Sequence, residues 1–153
     1  MPAPSITASR TARHALPFLF PGQTQKEAFV NEALVRLDAL VQPVALAELP
    51  EPPPNPATGD CYIVASPATG AWQDHDGELA TWAETVWIFA RPTEGARVHD
   101  AANGGLAVYT LGHGWRRAPG PELPAGGTTQ DSEARDAIAE IVTKLHTLGI
   151  FSA

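Results

Sequence analysis

The sequence predicts an α+β fold: an N-terminal helix, a small antiparallel β meander or partly open barrel, and a C-terminal coiled-coil-like helix, in an oligomeric protein. Three patterns carry that expectation. Val30, Leu34, Leu37 and Val41 recur at the spacing of one helical face. Between residues 58 and 117, short apolar runs alternate with breaks rich in Gly, Asp and Pro, the rhythm of short strands joined by turns. Near the C-terminus, Ala134, Ile138, Ile141, Leu145 and Leu148 repeat as the seam of a heptad, with Ile138 and Leu145 at a and the others at d.

Residues 1–23 read as an extended N-terminal arm. Up to Ala15 it is Ala, Ser, Thr and Arg without period, flexible unless a neighbouring subunit holds it. Leu16-Pro17-Phe18-Leu19-Phe20-Pro21 is an apolar clip kept extended by its prolines, and its large side chains need a partner surface. Residues 24–42 form the first helix. Thr24 and Glu27 fit a capping box, Glu32 and Arg36 sit one turn apart, and Pro43 ends the segment. Phe29, Ala33 and Leu40 widen its apolar stripe. Residues 43–57 read as a stiff, polyproline-like linker.

Residues 58–117 form the β domain. Strands are expected around Cys61-Tyr62-Ile63-Val64, at Trp72, at Ala80-Thr81-Trp82, at Val86-Trp87-Ile88-Phe89, at Leu106-Ala107-Val108-Tyr109-Thr110 and at Trp115. Val86 and Ile88 alternate with Trp87 and Phe89, so both faces of that strand are apolar and both should be covered. Residues 118–130 are a Pro/Gly linker. Residues 131–149 form the final helix, with Asp131 at N-cap, Glu133 in the first turn and Gly149 as the stop.

Composition narrows the function. The formal net charge is −7 and the ten Lys and Arg are scattered, which excludes a phosphate-tracking groove and leaves no expectation of nucleic-acid binding. No apolar run reaches bilayer length, and no signal peptide opens the chain, so synthesis in the cytoplasm without membrane insertion is expected. Cys61 is the one cysteine, which rules out an intrachain disulfide and reads as a small buried hydrophobe. No catalytic residue, metal site or cofactor is expected. Asp74-His75-Asp76 is the tempting cluster, but adjacent residues on one turn cannot converge on one ion, and Gly77 marks an Asx-type turn. His99 and His113 read as loop histidines, and no Gly-x-Ser-x-Gly elbow is present. A glycan hydrolase using Asp74 or Asp76 would need a second, opposed carboxylate.

The four tryptophans all fall in the β segment. Trp72, Trp82 and Trp115, with His75 and Asp76, are the candidate glycan-binding set, because sugar C–H faces stack on indole. The competing expectation is that the tryptophans fill a small core. Val30, Leu34, Leu37 and Val41 of the first helix and Ile138, Ile141, Leu145 and Leu148 of the last are the candidate oligomerisation residues. Isoleucine at both a and d favours three strands.

The segment Leu16-Pro17-Phe18-Leu19-Phe20-Pro21-Gly22-Gln23-Thr24-Gln25-Lys26-Glu27, then Asn31-Glu32-Ala33-Leu34 and Leu37-Asp38-Ala39-Leu40-Val41, resembles the opening of a phage-related protein family. The similarity continues through Gly59-Asp60-Cys61-Tyr62-Ile63-Val64, Thr69-Gly70-Ala71-Trp72, His75-Asp76-Gly77, Ala80-Thr81-Trp82 and Trp87-Ile88-Phe89-Ala90-Arg91-Pro92. Members are encoded in prophages, phages and gene transfer agents of α-proteobacteria, and some are linked to head spikes or tail fibres. Thr24 and Phe20-Pro21 stand where the family usually has alanines. The resemblance implies a structural virion protein, a subunit of a spike or fibre assembled on a phage-like particle. Its expected partners are copies of itself (a trimer, or a pentamer on a fivefold vertex), other spike, fibre or capsid proteins, and host surface polysaccharide. The alternative from a different class is a stand-alone carbohydrate-binding module or adhesin.

Overall fold

The computed structural model describes residues 9–19 and 26–151; the expected capping box at Thr24 and the Phe20-Pro21 part of the clip lie outside them. Helix α1 (Lys26–Leu40) is followed by eight strands: β1 (Val44–Ala45), β2 (Glu48–Leu49), β3 (Cys61–Val64), β4 (Leu79–Ala83), β5 (Val86–Ala90), β6 (Arg97–Asp100), β7 (Gly105–Thr110) and β8 (Gly114–Arg117). Helix α2 (Ser132–Thr147) closes the chain. The strands form two four-stranded sheets, ordered β1-β6-β7-β8 and β2-β3-β4-β5.

Both sheets are mixed, because β1 runs parallel to β6 and β2 parallel to β3. The expected single antiparallel meander or barrel is therefore replaced by two open sheets. The reason lies in residues 43–57. The proline tract does not begin until Pro50, so Val44-Ala45 and Glu48-Leu49 are free to pair, one pair in each sheet. Leu46 N–H donates to the Cys61 carbonyl and carries the chain from one sheet to the other. Two further expectations need correction. Trp72 lies on a single 3₁₀ turn (Gly70–Trp72), not a strand. His99 lies in β6 rather than in a loop; its polar sequence, Arg-Val-His-Asp, hid a strand that buries only Val98 and Asp100.

Residue parity on the second sheet sets the layers. Cys61, Ile63 and Leu79 point one way and meet Ala45, Val98 and Ala107 of the first sheet. Burial pushes the Cys61 thiol pKa up, in keeping with a packing role. Further along the same face, Ala83 and Ile88 meet Val35 of α1 and Phe18 of the arm. The opposite face carries Tyr62, Val64 and Ala80 and is covered by Trp72, with Trp87 and Phe89 packed alongside. Strand β5 is thus covered on both faces by its own chain.

The arm is not loose over its described part. Thr11 Oγ1 donates to Asp38 at 2.7 Å, and the Arg13 and His14 amides donate to the same carboxylate at 2.8 and 2.6 Å. The Arg13 guanidinium then donates to the carbonyls of Asp38, Ala39 and Gln42, capping the C-terminus of a helix whose last turn has no basic residue of its own. Asn31 exchanges a pair of hydrogen bonds with the Leu19 main chain, at 2.9 and 3.1 Å. These contacts seat Phe18, the clip residue that finds its partner surface on α1 of the same chain. Replacing Asp38 with asparagine removes charge-assisted bonds worth about 2 kcal/mol. The expected result is a lower melting temperature and faster amide exchange at Arg13 and His14; unchanged exchange there would show that the arm is held by something else.

Candidate assembly surfaces and groove

Helix α1 packs through a face that the apolar periodicity did not select. Asn31, Val35, Asp38 and Ala39 are buried, and Leu34 is half-buried against them. The remaining stripe faces outward: Phe29 is 78% exposed, Leu37 52%, and Val30, Leu40 and Val41 are exposed beside them. The helix is therefore apolar on two sides. Of the four α1 residues proposed for oligomerisation, Val30, Leu37 and Val41 lie on the outer side and Leu34 at the border of the inner one.

Helix α2 contributes no buried residue. Asp131 caps it by accepting from the Ala134 amide at 3.0 Å. The C-terminus is a complete Schellman motif: Gly149 N–H donates to His146 and Ile150 N–H to Leu145, with Gly149 at φ +68°. Between these well-made ends, Ile138, Ile141 and Leu148 (73%) are exposed and Leu145 is half-buried. Arg135, next to Ala134 of the seam, donates to the carbonyls of Pro124 and Gly126 and ties the linker to the first turn of the helix.

A third surface is a groove of about 380 Å³ along β5, lined by Glu32 and Arg36 of α1, by His75, Glu78 and Arg91, and by β5 itself from Val86 to Phe89. His75 stacks flat on Phe89, with centroids 3.5 Å apart, and its Nδ1 lies 2.9 Å from Glu78. Arg91 stands 3.8 Å from the same Glu78, and Glu32 pairs with Arg36 at 2.9 Å. Behind this wall, Trp87 packs edge-on against Trp72 at 5.0 Å and tilted against Trp82 at 5.0 Å.

The candidate glycan-binding set does not assemble into one surface. Trp72 is 0% exposed and unable to stack a sugar, which corrects its place in the set. Trp115 donates its indole N–H to Gly77 at 2.9 Å and packs on Tyr109. Asp76 accepts from the Ala68 amide at 3.0 Å, a bond that ties the segment after β3 to the segment before β4. Trp82 is half-buried beside Trp87. Of the five, His75 alone borders the groove, where its neighbours are Glu78, Trp87, Phe89 and Arg91. The alternation in β5 pointed to Trp87 and Phe89 as a pair. The sequence marks Arg36 only as the helical partner of Glu32 and gives no sign that Glu78 and Arg91 join it, because distant segments bring them together. Among the described residues, no three His, Cys, Asp or Glu side chains form a group able to hold a metal ion.

These features define an α+β domain of two packed sheets, flanked by one helix and trailed by an amphipathic helix that it does not cover. A model of the family described as "Protein of unknown function (DUF2793)" matches residues 30–116, more than half of the 153, and the chain belongs to that family. The matched span runs from α1 to β8, so it takes in both sheets and leaves α2 outside. No curated protein matches the chain.

Proposed function

We propose that this protein is a structural subunit of a phage-like particle, part of a head spike or tail fibre, and that it assembles through the helical faces its own fold leaves bare. The observation that carries the reading is the seam of α2. A helix with capped ends and no buried side chain, carrying isoleucine at a and d, leaves that seam bare in a single chain, and other chains can cover it. The outer stripe of α1 supports the same reading, since Phe29, Leu37 and Leu40 together make a patch that an isolated subunit keeps in water. The place on a virion rests on the family resemblance through Gln25-Lys26-Glu27 and Asn31-Glu32-Ala33-Leu34.

No residue of α2 belongs to a hydrophobic core cluster, so serines at Ile138, Ile141 and Leu148 leave the folded body intact. Native mass spectrometry of the full chain should give a trimer or a larger assembly, and the triple-serine variant a smaller species. A full chain that stays monomeric at high concentration would end the assembly reading. Absence of the protein from purified particles, tested by mass spectrometry, would end the virion reading and favour a free carbohydrate-binding module, for which the aromatic groove beside β5 speaks.

A further inference from the structure

Among the described residues, strand β5 is the outer strand of its sheet, since its one ladder is with β4. The direction of its hydrogen bonds follows from the next strand in. Trp82 N–H donates to Asp60 and Trp82 C=O accepts from Gly59, so the Trp82 main chain points toward β3. Main-chain groups of successive strand residues point to opposite sides. Thr81 and Ala83 therefore point toward β5, where they face Ile88 and Val86. By the same alternation, the N–H and C=O groups of Trp87 and Phe89 point outward, into the groove. Among the described residues, no hydrogen bond reaches them.

Such an edge invites pairing, and natural sheets block it with charges, prolines or bulges. Val86-Trp87-Ile88-Phe89-Ala90 has no charge and no proline, and its ladder with β4 is unbroken over its length. We infer that β5 is an interface in which two copies of this chain pair edge to edge, antiparallel, about a two-fold axis at Ile88, joining their sheets into one.

Self-pairing is favoured because the edge is complementary to itself. With the axis at Ile88, Trp87 of one copy lies opposite Phe89 of the other, and every outward N–H meets an outward C=O. Ile88 then lies opposite its own copy in a non-hydrogen-bonded pair, as it must, because its polar groups are spent on Thr81. Trp87 beside Phe89 makes a cross-strand aromatic pair on one face. On the other face, the rotation sets the two α1 helices antiparallel. Glu32 and Arg36 line the groove, so each copy presents acid and base in the reverse order of its partner. Phe29, Ala33 and Leu40 come next around the helix from that border, and the same rotation covers part of this exposed stripe. The contact is separate from the α2 seam, so either can fail without the other.

The experiment uses the full-length triple-serine α2 variant, in which the tail seam is disabled. It should be a dimer by native mass spectrometry, and nuclear magnetic resonance should show Trp87 and Phe89 amides whose exchange slows as protein concentration rises. In this register Thr85, an exposed turn residue, comes opposite Arg91 of the second copy. Thr85→Arg should weaken the dimer about tenfold by setting like charges opposite each other, and Thr85→Glu should tighten it by a similar factor. A monomer with fast Trp87 and Phe89 amides would overturn the inference, as would a dimer in which those amides remain fast. Amides that slow only when capsular polysaccharide is added to a monomer would also overturn it, and would make the groove a ligand site.

Discussion

Replacing Asp100 with alanine is expected to destabilise the protein by about 3–5 kcal/mol, the range for removing one partner of a buried ion pair. Asp100 is 0% exposed. Its carboxylate accepts from the Ala102 and Asn103 amides at 3.1 and 3.2 Å and from the Asn103 side chain at 2.9 Å, which shapes the turn from β6 into β7. It also binds the Arg117 guanidinium, and Arg117 reaches across to Glu48 at 2.8 Å. Glu48 is in the second sheet, whereas Asp100 and Arg117 are in the first. One arginine thus ties the two sheets together, and one buried carboxylate positions it. Without Asp100, the turn amides lose their acceptor and Arg117 keeps only a partly exposed partner.

The same site fixes the acid limb of stability. Burial pushes the Asp100 carboxyl pKa up, but the bonds from Asn103 and Arg117 together outweigh it, and the group sits below the ordinary aspartate value. Asp38 behaves alike: burial raises it, and the bonds from Thr11, Arg13 and His14 together bring it below the ordinary aspartate value. A carboxyl depressed in the folded state binds protons more readily when unfolded. Its contribution is present above the unfolded pKa, near 4, and is lost as pH falls through the folded value. Urea midpoints attributable to these groups should hold from neutral pH to about 4 and fall below it. The fall should be shallower in Asp100→Ala, which no longer has that proton to bind. Parallel declines in the two proteins would remove Asp100 from the account.

What was legible in the sequence was whatever depends on near neighbours. The capped ends of α2, the hairpins of β4–β5 and β7–β8, and the burial of Cys61 follow from local spacing and turn chemistry. What was hidden depends on contacts across the chain. Asn31 and Asp38 lie off the apolar stripe of α1, yet they face inward because the arm supplies their hydrogen bonds. That reversal turns the apolar stripe Val30-Leu37-Val41 to the outside. β1 and β2 are two residues each and carry no period, so only their parallel partners reveal them. The candidate site suffered from the same limit. Composition flagged tryptophans as a class, whereas the groove is set by which face of β5 each residue occupies and by charges brought in from α1 and from the segment around His75.

Trp72→Ala should cost about 3–5 kcal/mol, the range for emptying a large aromatic site in a core. Trp72 packs on Tyr62 at 5.8 Å and on Trp87 at 5.0 Å, and it closes the outer face of the second sheet from a single turn of 3₁₀ helix. Its indole N–H finds no acceptor among the described residues, so the side chain acts through volume and ring contacts alone. Trp72→Phe therefore forfeits no hydrogen bond and should recover more than half of the loss. A surface role in sugar binding predicts instead little change in stability for either variant. Thermal unfolding of the two variants against the parent separates these cases. The effect should also reach the edge of the sheet, because Trp87 leans on Trp72 and its main chain lines the groove. In Trp72→Ala, self-pairing through β5 should weaken along with the fold, whereas in Trp72→Phe it should persist; a Trp72→Ala protein that melts with the parent would show that this core does not support the strand.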